Sequence, residues 1–170
     1  MLRLVVLVNA VGLVVWRWDS VDHPAAGVAC IVVMGGWSVF ATYAYADPDR
    51  RTIWLLSADL AVAVGLVLVS PLVKGEDFRA TIPGFWVMAA LLAWAIHYYW
   101  RGGLFAGAVL VAADLSVRDD LTQATYGNVF LLLVGGPVVG FMSESLQLMA
   151  KERDAAQREA LAEAERARLA

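Results

Sequence analysis

The chain has 170 residues, of which 61% are apolar and 17% charged, with a formal net charge of −3. A soluble domain is nearer half apolar and a quarter charged, so this composition points to the membrane. The small net charge, with no basic patch, excludes nucleic acid as a partner, and a single cysteine, Cys30, excludes an intrachain disulfide or a thiolate metal cluster.

Six apolar stretches follow one another along the chain: Leu2–Trp16, Ala25–Ala46, Thr52–Ser70, Pro83–Trp100, Gly102–Val117 and Tyr126–Ala150. Alternating β periodicity is absent and most runs approach the ~20 residues a spanning helix needs. The expected fold is all-α: a membrane bundle of six transmembrane helices, the last continuing as a cytoplasmic signalling helix. Residues 1–150 then form a sensor domain and 151–170 a signalling, coiled-coil helix. The first stretch has the charged start of a secretory signal at Arg3. No small-x-small cleavage pattern precedes the polar segment Arg17–His23, so it reads as a retained span. Asp22-His-Pro24, Asp47-Pro-Asp49, Ser70-Pro71, Ile82-Pro-Gly84 and Arg101-Gly-Gly103 punctuate the connections.

Orientation follows the basic residues. A cytoplasmic N-terminus places Arg3, Arg50, Arg51, Arg101, Lys151 and Arg153 inside, and leaves Arg17, Lys74, Arg79 and Arg118 outside among six acidic residues. With an even number of spans both termini are cytoplasmic, and the expected location is the plasma membrane. Trp16, Trp18, Trp54, Trp86, Tyr98, Tyr99, Trp100 and Tyr126 fall near span ends, where amphipathic rings favour the headgroups. Trp37 and Trp94 sit mid-span and read as packing residues.

Polar residues inside the spans are the candidate sensing groups. Asp59 lies near the middle of the third span, where a carboxylate costs ~2.5–3.5 kcal/mol to insert, so it is expected to face the interior. It serves either as a proton- or ligand-sensitive switch or as an interhelical hydrogen bond to Asn9, Ser57 or backbone. Asp114, in the fifth span, precedes Arg118 by four residues, the spacing of a helical ion pair. The alternative is a sensing pocket shared with Asp119 and Asp120. His97, beside Tyr98, is either a titrating group or an interfacial hydrogen-bonding residue. Two histidines without ligand spacing argue against a metal site. Gly135, Gly136 and Pro137 are expected to kink the sixth span just above the exit helix, making a hinge.

The final twenty residues hold 10 of the 29 formal charges, five basic and five acidic. Asp154–Arg158, Glu163–Arg166 and Glu165–Arg168 are spaced to pair along a helix. A heptad-like seam runs through Met142, Leu146, Met149, Arg153, Ala156, Ala160, Glu163 and Ala167, interrupted by charge and filled with alanine, and so weak enough for a dimeric helix that changes register or rotation. A homodimer through this helix is the expected assembly, with the lipid bilayer as the other partner.

Several segments carry a family likeness: Leu4-Val-Val-Leu-Val-Asn-Ala-Val-Gly12, Phe40-Ala-Thr-Tyr-Ala-Tyr-Ala46, Ala58-Asp-Leu-Ala-Val62, Ser70-Pro-Leu-Val-Lys-Gly75, Pro83-Gly-Phe-Trp-Val-Met88 and Ala113-Asp-Leu-Ser-Val-Arg118. Across essentially its whole length the chain resembles the N-terminal membrane-sensor region of actinobacterial sensor histidine kinases of the MacS type. Ala164-Glu-Arg-Ala-Arg-Leu-Ala170 is similar to their run-in to the phosphotransfer helix. The resemblance implies a two-component sensor whose phospho-acceptor histidine, ATP and magnesium belong to a kinase core beyond these residues, and whose response regulator docks on that core. No catalytic residue, cofactor or metal is expected in the 170 residues themselves. The competing expectation is a small proton- or cation-coupled transporter or channel using Asp59 and Asp114.

Overall fold

The computed structural model describes residues 2–16, 23–74, 81–118 and 122–169. Among them there is no strand, and the helices are α1 (Leu2–Trp16), α2 (Pro24–Ala46), α3 (Ile53–Lys74), α4 (Met88–Ser116) and α5 (Gln123–Leu169), with 3-10 turns at Pro48–Arg50 and Gly84–Val87. The all-α class is as expected. By length and composition, however, three helices are able to cross a membrane: α2, α3 and α5. α1 has 15 residues, about 22 Å against a hydrocarbon core of roughly 30 Å.

Local chemistry sets most of the helix ends. Pro24 opens α2 at its first position, where its missing N–H costs nothing. Asp47, next to Pro48, is extended (φ −91°, ψ 117°), as a residue preceding proline must be, and α2 ends there. The Asp47 carboxylate accepts a hydrogen bond from Asp49 N–H (3.1 Å) and pairs with Arg50 (3.2 Å), which closes the turn. Thr52 Oγ1 then accepts from Leu55 N–H at the start of α3 (3.4 Å). Ser70-Pro71 does not end α3 as expected. The helix runs one further turn, to Lys74, because Pro71 requires only that one carbonyl do without a helical N–H. Ser70 Oγ donates to Leu66 C=O (2.8 Å) and accepts from Ile82 N–H (2.9 Å), fastening the next segment to α3.

The fourth and fifth predicted spans are joined differently from the sequence reading. Arg101-Gly-Gly103 lies within helix, and the break is earlier, at Tyr98 (φ −115°, ψ 17°) and Tyr99 (φ 57°, ψ −147°). The rings of Trp94 and Phe105 are 5.1 Å apart between centroids, whereas a straight helix would separate them by roughly 16 Å. The chain therefore reverses at the two tyrosines, and α4 is a pair of arms. The first arm descends beside α3, with Trp94 Nε1 donating to Leu56 C=O (3.0 Å).

The second arm packs antiparallel on α5. Cβ atoms built on Gly103 and Gly107 would lie 2.3 and 2.4 Å from the backbone of Gly136 and Leu132, and one on Gly140 would lie 2.3 Å from Tyr99. Gly103/Gly107 and Gly136/Gly140 each have the four-residue spacing of small residues that lets helix backbones touch. The core between the helices contains Met34, Leu56, Ala63, Leu66, Trp86, Leu91, Leu110 and Leu132, while Val8, Val32, Val39, Tyr43, Leu72, Phe130 and Phe141 are exposed. So many large apolar side chains outside is what a lipid environment favours and water does not.

Candidate functional site

α3 turns one stripe inward through Leu56, Asp59, Leu60, Ala63, Leu66, Val67 and Ser70. Asp59 belongs to that stripe by helical spacing alone and is completely buried. It sits in the second turn of α3 rather than mid-span, and three residues from two other helices converge on it. Arg3 of α1 forms an ion pair with Oδ2. Trp37 Nε1 donates to Oδ1 (2.7 Å), and the Tyr45 hydroxyl donates to Oδ2 (3.4 Å). The Arg3 guanidinium lies over the Tyr45 ring, 5.2 Å from its centroid. Burying both ions is costly, so the pair depends on its extra hydrogen bonds and stacking.

The interhelical hydrogen bond expected of Asp59 is therefore present with other partners. Asn9 and Ser57 both face outward, and Trp37 is a donor as well as a packing residue. Arg3, Trp37 and Tyr45 were not legible as one cluster. The available signal was an arginine and an aspartate in spans that share the same inner end.

The satisfaction of this cluster stops short at one atom. Arg3 Nη1 is buried and has no hydrogen-bond partner. Arg3 also borders a partly open cavity of about 300 Å³, lined by Arg3, Tyr45, Arg51 and His97 and by the apolar Leu56, Ala89, Leu92, Ala93 and Ile96. Arg51 Nε donates to Tyr45 C=O, the end of α2 (3.0 Å). His97, exposed, meets Tyr98 edge-on at 4.8 Å between ring centroids. The structure places His97, expected to be a titrating or interfacial hydrogen-bonding residue, in the cavity wall against the Tyr98 ring.

A second polar cluster lies at the far end of the bundle. Asp114 is buried and accepts from Arg118 Nε and Nη2 (both 3.0 Å) and from Asn128 Nδ2 of α5 (3.0 Å). The helical ion pair predicted from spacing is thus formed. Asp119 and Asp120, proposed to share a pocket with it, lie outside the described residues. Thr122 and Thr125 exchange hydrogen bonds through their hydroxyls and backbone N–H groups (3.3 Å each way), capping α5 next to this cluster.

α5 links the two ends. It runs 47 residues without interruption, through Pro137, a length of roughly 70 Å. Of the expected hinge, Gly136 is the point of closest contact with the second arm, while a Cβ on Gly135 would meet only Leu131 at 3.9 Å. Further on, the Tyr99 hydroxyl donates to Gln147 Oε1 (2.8 Å), so the strained break is bonded to the emerging helix. Leu146, Met149, Ala156, Ala160 and Ala167 of the predicted seam are all exposed. The three ion pairs predicted for the tail are not among those formed by the described residues. Such pairs on a solvated helix gain only ~0.3–0.5 kcal/mol, and water competes well with them. No cluster of three or more potential metal ligands occurs among the described residues.

These features define an all-helical protein with three helices fit to cross a membrane, a buried ion pair beside a cavity, and one helix extending well beyond the bundle. The chain belongs to the family of unknown function DUF5931, whose model matches residues 1–154. No curated protein and no solved structure matches it.

Proposed function

We propose that the chain is the membrane input module of a two-component sensor histidine kinase, acting as a homodimer and passing an envelope or membrane stimulus through α5 to a kinase core that continues from it. In this reading six segments cross the plasma membrane in alternation, the two arms of α4 each counting as one and both termini facing the cytoplasm. The Arg3–Asp59 cluster collects the start of α1, the end of α2 and the start of α3 at one end, which supports that alternation. α1 and the arms are short, a mismatch that local bilayer thinning accommodates.

The observation that carries the proposal is the Tyr98–Tyr99 break. Its backbone rests directly on Gly140, its hydroxyl reaches Gln147, and α5 leaves the bundle there as an exposed helix. A non-glycine residue at positive φ stores strain, and a rearrangement that releases it would rotate or tilt α5 relative to the bundle. A stimulus acts by binding one of the two arrangements better than the other. Asp59 and Asp114, which a transporter would place along one path, lie at opposite ends, each held by an arginine.

The test is disulfide crosslinking of single cysteines at Ala156 and Ala160 in membranes, with Cys30 replaced by serine. The expected result is dimers at both positions. Monomers throughout remove the dimeric signalling helix, and proton flux abolished by Asp59→Asn would favour transport instead.

A further inference from the structure

The cavity beside Arg3 has the composition of a specific site. Its polar lining is Arg3, Tyr45, Arg51 and His97. Among the described residues no carboxylate pairs with Arg51, and Asp59 is already engaged by Arg3, Trp37 and Tyr45. A guanidinium such as that of Arg51, at the edge of a partly enclosed apolar site, gains charge-assisted hydrogen bonds from an anion. The remaining wall is apolar, through Leu92, Ala93 and Ile96. About 300 Å³ is at the small end of ligand sites. It is enough for a phosphate group and the first few carbons attached to it.

We infer that this cavity binds an anionic phospholipid head group, the phosphate seated on Arg51 beside Arg3 and His97 and the adjoining carbons against Leu92, Ala93 and Ile96. The position fits a lipid, since the cavity lies at the arginine-bearing end of the bundle, where basic pockets between membrane helices meet the anionic leaflet. Arginine suits the task because its planar fork gives two parallel hydrogen bonds to a phosphate. Bound there, the head group would also touch Ile96 and His97, immediately ahead of the Tyr98–Tyr99 break. That consequence rests on the sensor proposal; the binding does not.

The experiment measures binding to the full chain in dodecyl maltoside, using dioctanoyl phosphatidylglycerol, dioctanoyl phosphatidylcholine and sodium phosphate as separate probes. Phosphatidylglycerol is expected to bind at least about tenfold tighter than phosphatidylcholine, with no response to phosphate alone. Arg51→Gln, a change at an exposed side chain, is expected to weaken phosphatidylglycerol about tenfold, the loss of one charge-assisted hydrogen bond. Ala93→Phe, which fills the cavity and leaves every charge in place, is expected to weaken it by a similar factor. Equal binding of the two lipids overturns the proposal, as does an equal response to inorganic phosphate, which would indicate a free-anion site. Loss with Arg51→Gln but not with a folded Ala93→Phe protein indicates surface attraction, and overturns it too. Should Ala93→Phe fail to fold, Arg51→Gln and the comparison of lipids still decide the matter. Kinase output plays no part in these readouts, so the sensor proposal can fail while the lipid site stands.

Discussion

The two ends of the bundle are held by different kinds of interaction. At the far end, Asp114 finds Arg118 four residues along its own helix, and Thr122 and Thr125 cap α5 from within one turn. At the near end, Asp59 draws its partners from α1 and α2, a tyrosine sits at positive φ, and backbone lies on backbone at Gly140. The far end is built from residues near one another in the chain, Asp114 to Asn128. The near end is assembled from distant pieces, is strained at Tyr99, and leaves Arg3 Nη1 without a partner. An end built in this way has more to gain from rearrangement or from a ligand, and it is the end from which the long helix departs.

Four variants test this contrast. Asp59→Ala should have the largest effect, because it leaves the largely buried Arg3 guanidinium without its ion-pair partner from another helix. A loss of about 3–5 kcal/mol is expected for breaking a buried pair, read as a fall in melting temperature in detergent. Removing both charges with Arg3→Met and Asp59→Leu should restore much of the stability, and failure of the double variant to recover would mean that the pair is not the unit described. Gly140→Val comes next: its side chain would enter the Tyr99 backbone, with an expected cost of about 1–3 kcal/mol as the helices are forced apart. The smallest effect is expected from Asp114→Ala, about 1–2 kcal/mol: Arg118 and Asn128 lose their shared acceptor, but Arg118 lies past the end of α4 and can turn toward water. Equal losses for Asp59→Ala and Asp114→Ala would erase the distinction between the ends.

What could be foreseen follows the same division. The Asp114–Arg118 pair was legible because helical geometry alone brings residues four apart together. The bodies of α2 and α3 were legible because a long apolar run has one stable form in lipid. The three ion pairs of the tail followed the same spacing rule and did not form, since nothing there excludes water. Asp59 was recognised as a residue that must be buried and bonded. Its partners were not, because Arg3 is 56 residues away and nothing in either neighbourhood points to the other. The glycines of Arg101-Gly-Gly103 suggested a turn, whereas they serve close contact with α5 and the turn falls on two tyrosines instead. That choice reflects tertiary context: Gly140 leaves room for the bent backbone, and Gln147 receives the hydroxyl.

The sequence by itself determined that this is a helical, membrane-suited chain ending in a charged helix, because composition and periodicity act residue by residue. Only the tertiary structure decided where the fourth helix reverses, which helices touch through glycine, and which arginine meets Asp59. It also left a cavity edged by Arg3, Arg51 and His97. Those outcomes depend on distances between segments far apart in the chain, which no local pattern encodes.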